Sequence, residues 1–500
     1  MGMENVTARG RFMLALLLVG AISGGIYFLK NKTNVVNKIA SGSSEKITVG
    51  INTWCGFGGL IAANHGLDAN TESEFYKNDH LLVDIKIFDD PNSGKQAFQS
   101  GAIDTWQATV DSIPVDAATL QSSGFKYFVQ TDYSAGGDVI VVSEGIRNVS
   151  QLKGRTIAVA EGSPSHSLLL SVVKSGELKL SDLSIKKVSD GPEAAKLFKT
   201  GAVEAAVVWS PDDQDCLKAV KGSTILVSTK KANRIIADAL YAKSTYITAN
   251  KNKIKALTKG ILDMNARINS SDVEKQNASV VLAKAFAMTP EMAMIGLNNA
   301  RLTTYGDNQN FFGLNSGYSG VTGQELYDRM STTYHEIGLA PANNPNWRQI
   351  VDISALQEIT LVGNMHSAEA EPQFSKVTAS KAAALPVFSN KKLTINFPLN
   401  SSVLTPDSKN IIRSNFAAFV KGFNNARILI EGNTDATGPD SINVPLSHSR
   451  ANSAKMFLVK NYGIDPNRVT VVGNGSKYAV GTDEETRSSD RRTDFKLLND

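Results

Sequence analysis

Five hundred residues exceed what one hydrophobic core accommodates, and a composition 42% apolar and 20% charged excludes a disordered chain. A formal charge of +4 without a dense Lys/Arg stripe argues against a nucleic-acid partner. The two cysteines, Cys55 and Cys216, lack metal-type spacing; they pair only if the fold brings them together, and two unpaired thiols are expected.

The amino terminus combines Arg9 and Arg11 with an uncharged apolar run, Phe12 to Leu29. This predicts a cytoplasmic tail over 1–11, a transmembrane helix over 12–29, a linker over 30–45 and export of everything beyond. A cleaved signal peptide competes, with Ala21-Ile22-Ser23 as the cleavage site. Cleavage there would leave the apolar end "GGIYFL", which favours a retained inner-membrane anchor. The pairs Gly20/Gly24 and Ala21/Gly25 would let two such helices pack as a homodimer.

From residue 46 to 355, β-type runs ("KITVGINTW", "LLVDIKIFDD", "YFVQTDY", "DVIVVS", "RTIAVAEG", "AAVVWSP") alternate with amphipathic stretches, the pattern of parallel α/β sheets. "AFQSGAIDTW" (97–106) and "LFKTGAVEAA" (197–206) repeat one plan: helix end, Gly-Ala, β-branched residue, acid. The repeat predicts two similar lobes, with the glycine pair of "DYSAGGDVIVV" as the crossing between them. After residue 245 the pattern turns helical, and those helices are expected to pack back on the first lobe. Residues 356–390, rich in Ala, Ser and Pro and without a sustained period, read as a linker. Residues 391–500 restart as a βαβαβ plan long enough for a separate α+β domain.

The stretch "EGNTDATGPDSINVPLSHSRA" (431–451) places Asp435, Asn443 and Arg450 around a polar loop and the helix after it. Counted at 100° per residue, Arg450 falls in the stripe of Ala451, Ala454, Phe457 and Leu458. An arginine there needs a partner or a pocket open to solvent, and a purely structural pair with Asp435 is one reading.

With "GNG" and the late "DRRTDF", this segment resembles the OmpA-like peptidoglycan-binding domain over residues 391–500. The resemblance implies that Asp435 and Arg450, with Asn443 beside them, grip the diaminopimelate of the wall peptide. A carboxylate suits the ammonium, and a guanidinium suits the carboxylate. The chain departs from the family pattern in "GNTD" for a GHTD-like turn and "DRR" for an NRR-like element.

"GINTWCGFGGLIAANHGL", "GAIDTW", "SAGGDVIVVSEGIRNVSQLKGRTIAVAEGSPSHSLL" and "GAVEAAVVWSPD" together resemble nitrate/sulfonate/taurine-type substrate-binding proteins of ABC transporters. The resemblance spans about residues 46–350 and implies a periplasmic binding protein fold with two lobes closing on a small polar ligand. Mapped here, the cleft loops hold Trp54, Asp104, Trp106, Asp138, Ser163, Ser165, His166, Trp209 and Asp212. The tryptophans favour a flat or cationic guest, whereas Ser163 and Ser165 at a predicted helix start favour an anion. His166 reads as a helix-start residue.

With no nucleophile–base pair, phosphate loop or metal-spaced cluster, the sequence indicates neither an enzyme nor a cofactor. The expected function is a solute receptor, anchored in the inner membrane and tethered to peptidoglycan, feeding an ABC permease or a sensor. A stator-type envelope protein is the alternative, and the lack of an acid in residues 12–29 counts against an ion-driven motor.

Overall fold

The computed structural model describes residues 45–398 and 400–499. The expected membrane helix over 12–29, its cytoplasmic tail and its dimer contact lie outside the described residues. Among the described residues no single helix is long and apolar enough to cross a membrane.

Lobe 1 forms around a six-stranded sheet ordered β11-β4-β10-β3-β1-β2. Its strands are β1 (Glu45–Ile51), β2 (Leu81–Ile87), β3 (Thr105–Thr109), β4 (Phe125–Ser134), β10 (Ala237–Lys243) and β11 (Ala300–Leu302). β1 is parallel to β2 and β3, while β10 is antiparallel to β3 and β4. Both faces are covered, so Ile47, Val49 and Ile51 on one side of β1 are as dry as its glycine on the other.

Lobe 2 holds a five-stranded sheet ordered β7-β6-β8-β5-β9. These are β5 (Asp138–Val142), β6 (Thr156–Ala160), β7 (Ser184–Val188), β8 (Ala205–Trp209) and β9 (Thr224–Ser228). The chain crosses outward at residues 135–137, where the glycine pair stands, and returns at residues 229–236. As expected, the later helices join lobe 1: α5 (Lys251–Ser270) buries Ile254, Leu257, Ile261 and Leu262 in its core. Cys55 and Cys216 are free and buried, and burial pushes their thiols up to about 12 and about 11.

The sequence repeat has a physical meaning. α2 (Pro91–Ser100) leads into β3, and α4 (Gly191–Lys199) into β8, at equivalent places in the two lobes. In each copy the acid accepts a hydrogen bond from the strand parallel to its own. Thr48 N–H donates to Asp104 Oδ2 at 2.8 Å, and Thr156 N–H donates to Glu204 Oε2 at 2.8 Å. Both acids secure the amino-terminal edge of a sheet.

The tail is a four-stranded sheet ordered β12-β15-β13-β14: β12 (Val387–Leu393), β13 (Arg427–Gly432), β14 (Val469–Gly473) and β15 (Thr493–Leu498). The long helix α10 (Asp440–Tyr462) buries Ala451, Ala454, Phe457 and Leu458 against it. β15 extends the expected βαβαβ plan, and β12 begins before residue 391.

The segment 356–390 is not a free linker. It carries a short helix, Ala379–Ala384, and packs between the domains. The Glu369 carboxylate bonds the buried Arg234 of the return crossing and meets Arg301 Nε at 3.1 Å, while its N–H donates to Asp307 Oδ1 at 2.7 Å. Polar anchors hold this segment, so no hydrophobic period marked it.

Nor does the tail hang apart. Phe388, Phe416, Val420 and Phe423 share one apolar core with Leu168, Leu169, Val172 and Val173 of α3 (Pro164–Ser175) in lobe 2. Polar contacts rim that core: Ser175 Oγ to Ser389 Oγ at 2.9 Å, Lys391 Nζ to the Gly176 carbonyl at 2.8 Å, and Arg234 N–H to the Gly422 carbonyl at 3.1 Å.

Glu369→Ala leaves Arg234 buried without its carboxylate. Glu369 is one-third exposed, so the expected loss is about 2–3 kcal/mol, less than for a fully dry pair. Denaturant unfolding of the full-length chain measures it, and an unchanged midpoint contradicts it.

Candidate ligand cleft and candidate wall-binding pocket

Strand direction decides which residues face both lobes. In lobe 1 the parallel strands β1, β2 and β3 end at one edge, where α/β sheets present ligand loops. β10 is antiparallel to β3 and β4, so the end of β4 and the start of β10 reach that same edge. It therefore carries Trp54, Asp111, Asp132 and Asp238, with Asp132 and Asp238 partners across the ladder. In lobe 2, β5 is antiparallel to β8, which sets Asp138 opposite Trp209.

Two tryptophans meet this edge, one from each lobe. Trp54 Nε1 donates to Asp132 Oδ2 at 2.9 Å. Trp209 Nε1 donates to Ser165 Oγ at 2.9 Å, and Ser165 Oγ donates to Asp138 Oδ1 at 3.4 Å. Each ring lies where a glycine leaves room: a side chain at Gly137 would strike Trp54, and a Cβ at Gly191 would sit 2.8 Å from Trp209 Cδ2.

Four expected cleft residues take other roles. Trp106 is 2% exposed, packed edge-on to Phe88 with ring centroids 5.7 Å apart; it is core. Asp104 stands at the start of β3, the opposite edge from the cleft, and is the sheet anchor described above. His166 is buried in α3 and accepts from Gly162 N–H through Nδ1 at 3.2 Å; burial pushes it down to about 4, so it is neutral. Asp212 starts a lobe 2 helix beyond Trp209, and its charged neighbours are Lys199, Asp215, Asp213 and Asp190 of its own lobe.

The expected anion site at the start of α3 also differs. The Ser163 hydroxyl donates to the Ala160 carbonyl at 2.7 Å, and the Ser165 hydroxyl is turned to Asp138. The carboxylate nearest this helix start belongs to the protein itself.

Three acids of the edge were missed in the sequence: Asp111, Asp132 and Asp238. A legible signal existed, since each interrupts an apolar run at a strand end ("TVDSIP", "FVQTDYS", "IIADALY"). All three, like Asp138, are buried. Burial pushes the Asp111 carboxyl up to about 7 and that of Asp138 up to about 6. Burial, with the neighbouring acids, also holds Asp132 and Asp238 above the usual range.

Those shifts set a sign for pH dependence. Unfolded aspartates titrate near pH 4. Between there and the folded values the unfolded chain has released protons that the folded chain keeps, so the contribution of these aspartates to stability falls as pH rises from about 4 to 7. His166 acts oppositely, but equally in parent and variant. Asp138→Asn should therefore shrink the fall in melting temperature between pH 5 and pH 8 relative to the parent; an equal fall in both contradicts it.

In the tail, Asp435, Asn443 and Arg450 surround one loop, and Asp435 pairs with Arg491, not with Arg450 as the purely structural reading would have it. Asp435 Oδ2 accepts from Arg491 Nη1 at 2.7 Å, and its Oδ1 accepts from Thr437 N–H at 2.9 Å. Burial would raise this carboxyl, but Arg491 and Thr437 outweigh it and hold it below the usual range. Arg450 lies over the Phe397 ring at 5.0 Å, and its Nε donates to the Ser401 carbonyl at 3.1 Å. Burial pulls Arg450 down, with Asp435 opposing and Arg491 adding to the shift. The Asn443 amide is spent on the Thr437 and Gly438 carbonyls, so it shapes the loop. Arg491, quoted in "DRRTDF", is the third charge of the site.

Two lobes meeting at a cleft, followed by a sheet with this Asp–Arg loop, define a bilobed solute-binding fold joined to an OmpA-type domain. Residues 65–264 match the family described as NMT1/THI5 like, and residues 396–493 match the OmpA family. The chain thus carries an NMT1/THI5-like domain and a C-terminal OmpA domain. Outer membrane porin F of Pseudomonas fluorescens is 34% identical over 108 residues, 21% of this chain and 32% of that protein. A curated binding protein of Brucella abortus is 24% identical over 189 residues, 37% of this chain and 57% of the relative. The periplasmic aliphatic sulphonate binding protein SsuA of Escherichia coli aligns with a TM-score of 0.49 at 20% identity, covering 62% of this chain and 98% of that structure. The chain spans less than two thirds of the length of either curated relative.

Trp106→Ala should cost about 3–5 kcal/mol as a core truncation, whereas Trp54→Ala and Trp209→Ala should leave the unfolding midpoint nearly unchanged. Equal losses for all three would remove Trp54 and Trp209 from the cleft.

Proposed function

We propose that this protein is a periplasmic solute-binding protein of the ABC-import type, non-catalytic, held in the inner membrane by residues 12–29 and tethered to peptidoglycan by its tail. The lobes capture one small polar ligand between Trp54 and Asp132 on one side and Trp209, Ser165 and Asp138 on the other. An ABC permease is the partner this reading requires.

Arg450 is the observation that carries the reading. Phe397 and the Ser401 carbonyl orient its guanidinium, and among the described residues it forms no ion pair, although Asp435 lies within electrostatic range. An oriented cation beside a carboxylate complements a group bearing both an ammonium and a carboxylate, as the side-chain end of diaminopimelate does. Arg491 holds the acid ready. An incoming ammonium would share or replace that contact, leaving Arg491 with Glu484, which it already meets at 2.7 Å.

The test is sedimentation of the detergent-solubilised full-length chain with purified sacculi. Arg450→Ala and Asp435→Ala should each lose about 2–5 kcal/mol of wall binding while keeping the parent's circular dichroism. Arg450→Lys should also fail substantially, because an ammonium cannot make two parallel hydrogen bonds. Folded variants that sediment like the parent would refute the assignment.

A further inference from the structure

The cleft has a chemical bias beyond its shape. Its edge gathers Asp111, Asp132 and Asp238 from lobe 1 and Asp138 from lobe 2, all at most 6% exposed. Among the described residues none of the four forms an ion pair. The buried Arg234 nearby is taken by Glu369. Arg329, on the helix Gly323–Glu336, is the cation that feels Asp111. One guanidinium does not offset four carboxyl groups once they ionise, and a cationic guest would take the place of the protons that burial holds on them.

A second observation concerns hydrogen bonding. Asp111 Oδ1 accepts from Ala237 N–H at 3.1 Å, but its Oδ2 is buried without a partner. Asp111 lies at the end of β3 and within electrostatic range of Asp138 across the cleft. Asn52 Oδ1, just after β1, is likewise buried and unpartnered. Asp132 and Asp138 have donors from the chain on both oxygens, so the Asp111 and Asn52 oxygens are the acceptors a guest's N–H groups would satisfy.

Size separates a metal ion from an organic cation. Among the described residues no three His, Cys, Asp or Glu side chains converge as a metal site requires. The acids are spread along the edge, with an indole from each lobe hydrogen-bonded into the same network. Aromatic faces beside carboxylates favour a delocalised or alkylated cation.

We infer that the cleft receives a small organic cation, an ammonium or amidinium, rather than an anion. This inference rests on the reading of the inter-lobe edge as the ligand site. Indole and hydroxyl donors hold the Asp132 and Asp138 carboxylates in place, and the guest's N–H groups or alkylated nitrogen meet them. The Asp111 oxygen takes a further donor.

The experiment is isothermal titration calorimetry of the purified full-length chain with two cations, choline and benzamidinium, and two anions, ethanesulfonate and nitrate. At least one cation should bind with quenching of tryptophan fluorescence, and neither anion should. Asp132→Asn and Asp138→Asn should each weaken cation binding by at least about tenfold, with melting curves confirming that the variants fold. Binding of an anion but of no cation would overturn the inference and leave the cleft reading standing. If neither cation nor anion binds, both the inference and the cleft reading are overturned. Unchanged cation binding in both folded variants would also overturn the inference.

Discussion

A buried guanidinium must find a carboxylate, and Arg234 finds Glu369 from a segment more than a hundred positions away in the chain. A charge that deep without a partner costs several kcal/mol, which leaves the segment around Glu369 one place to lie. That place is occupied in three directions. Glu369 also meets Arg301 beside the lobe 1 sheet, Arg234 lies over the Tyr133 ring at 4.6 Å, and its backbone N–H ends on Gly422 of the tail. Return crossing, lobe 1 edge and the segment around Glu369 are therefore positioned by one side chain's demand for charge neutrality, and a backbone bond from the same residue reaches the tail.

The two candidate sites use opposite electrostatics within one chain. At the cleft, strand ends gather four buried aspartates, with indole and hydroxyl donors on Asp132 and Asp138. In the tail, a helix delivers Arg450 onto an aromatic ring with Asp435 and Arg491 alongside. Net charge reports neither, because a formal +4 over five hundred residues averages two local fields of opposite sign. In both places the neighbours of the charged group, indoles at the cleft and Phe397 and Thr437 in the tail, fix where the charge points.

Much of this architecture was legible in the residues. The alternation of strand and helix, the crossing at the glycine pair and the helical return to lobe 1 follow from periodicity and turn chemistry. So does the repeat, although its acids proved to anchor sheet edges: a motif's recurrence signals a shared structural task as readily as a shared ligand. Trp106 could not be separated from Trp54 by type alone, since what distinguishes them is which end of a strand they occupy. The purely structural alternative, Asp435 paired with Arg450, fails because Arg491, arriving on the loop before β15, supplies better geometry. The packed character of residues 356–390 was invisible because salt links leave no apolar period.

The manner in which the tail is attached makes the two lobes mechanically unequal. With lobe 2 it shares a continuous apolar interior, whose separation would expose side chains to water at a cost that grows with area. With lobe 1 its contacts are polar, such as Lys421 Nζ with Glu325 at 3.0 Å, and such bonds exchange with water at little net cost. Lobe 2 and the tail thus form one apolar body, to which lobe 1 is joined by polar bonds and by the Glu369 link. The orientation of lobe 2 follows that of the tail, so whatever holds the tail also sets the direction in which the mouth faces.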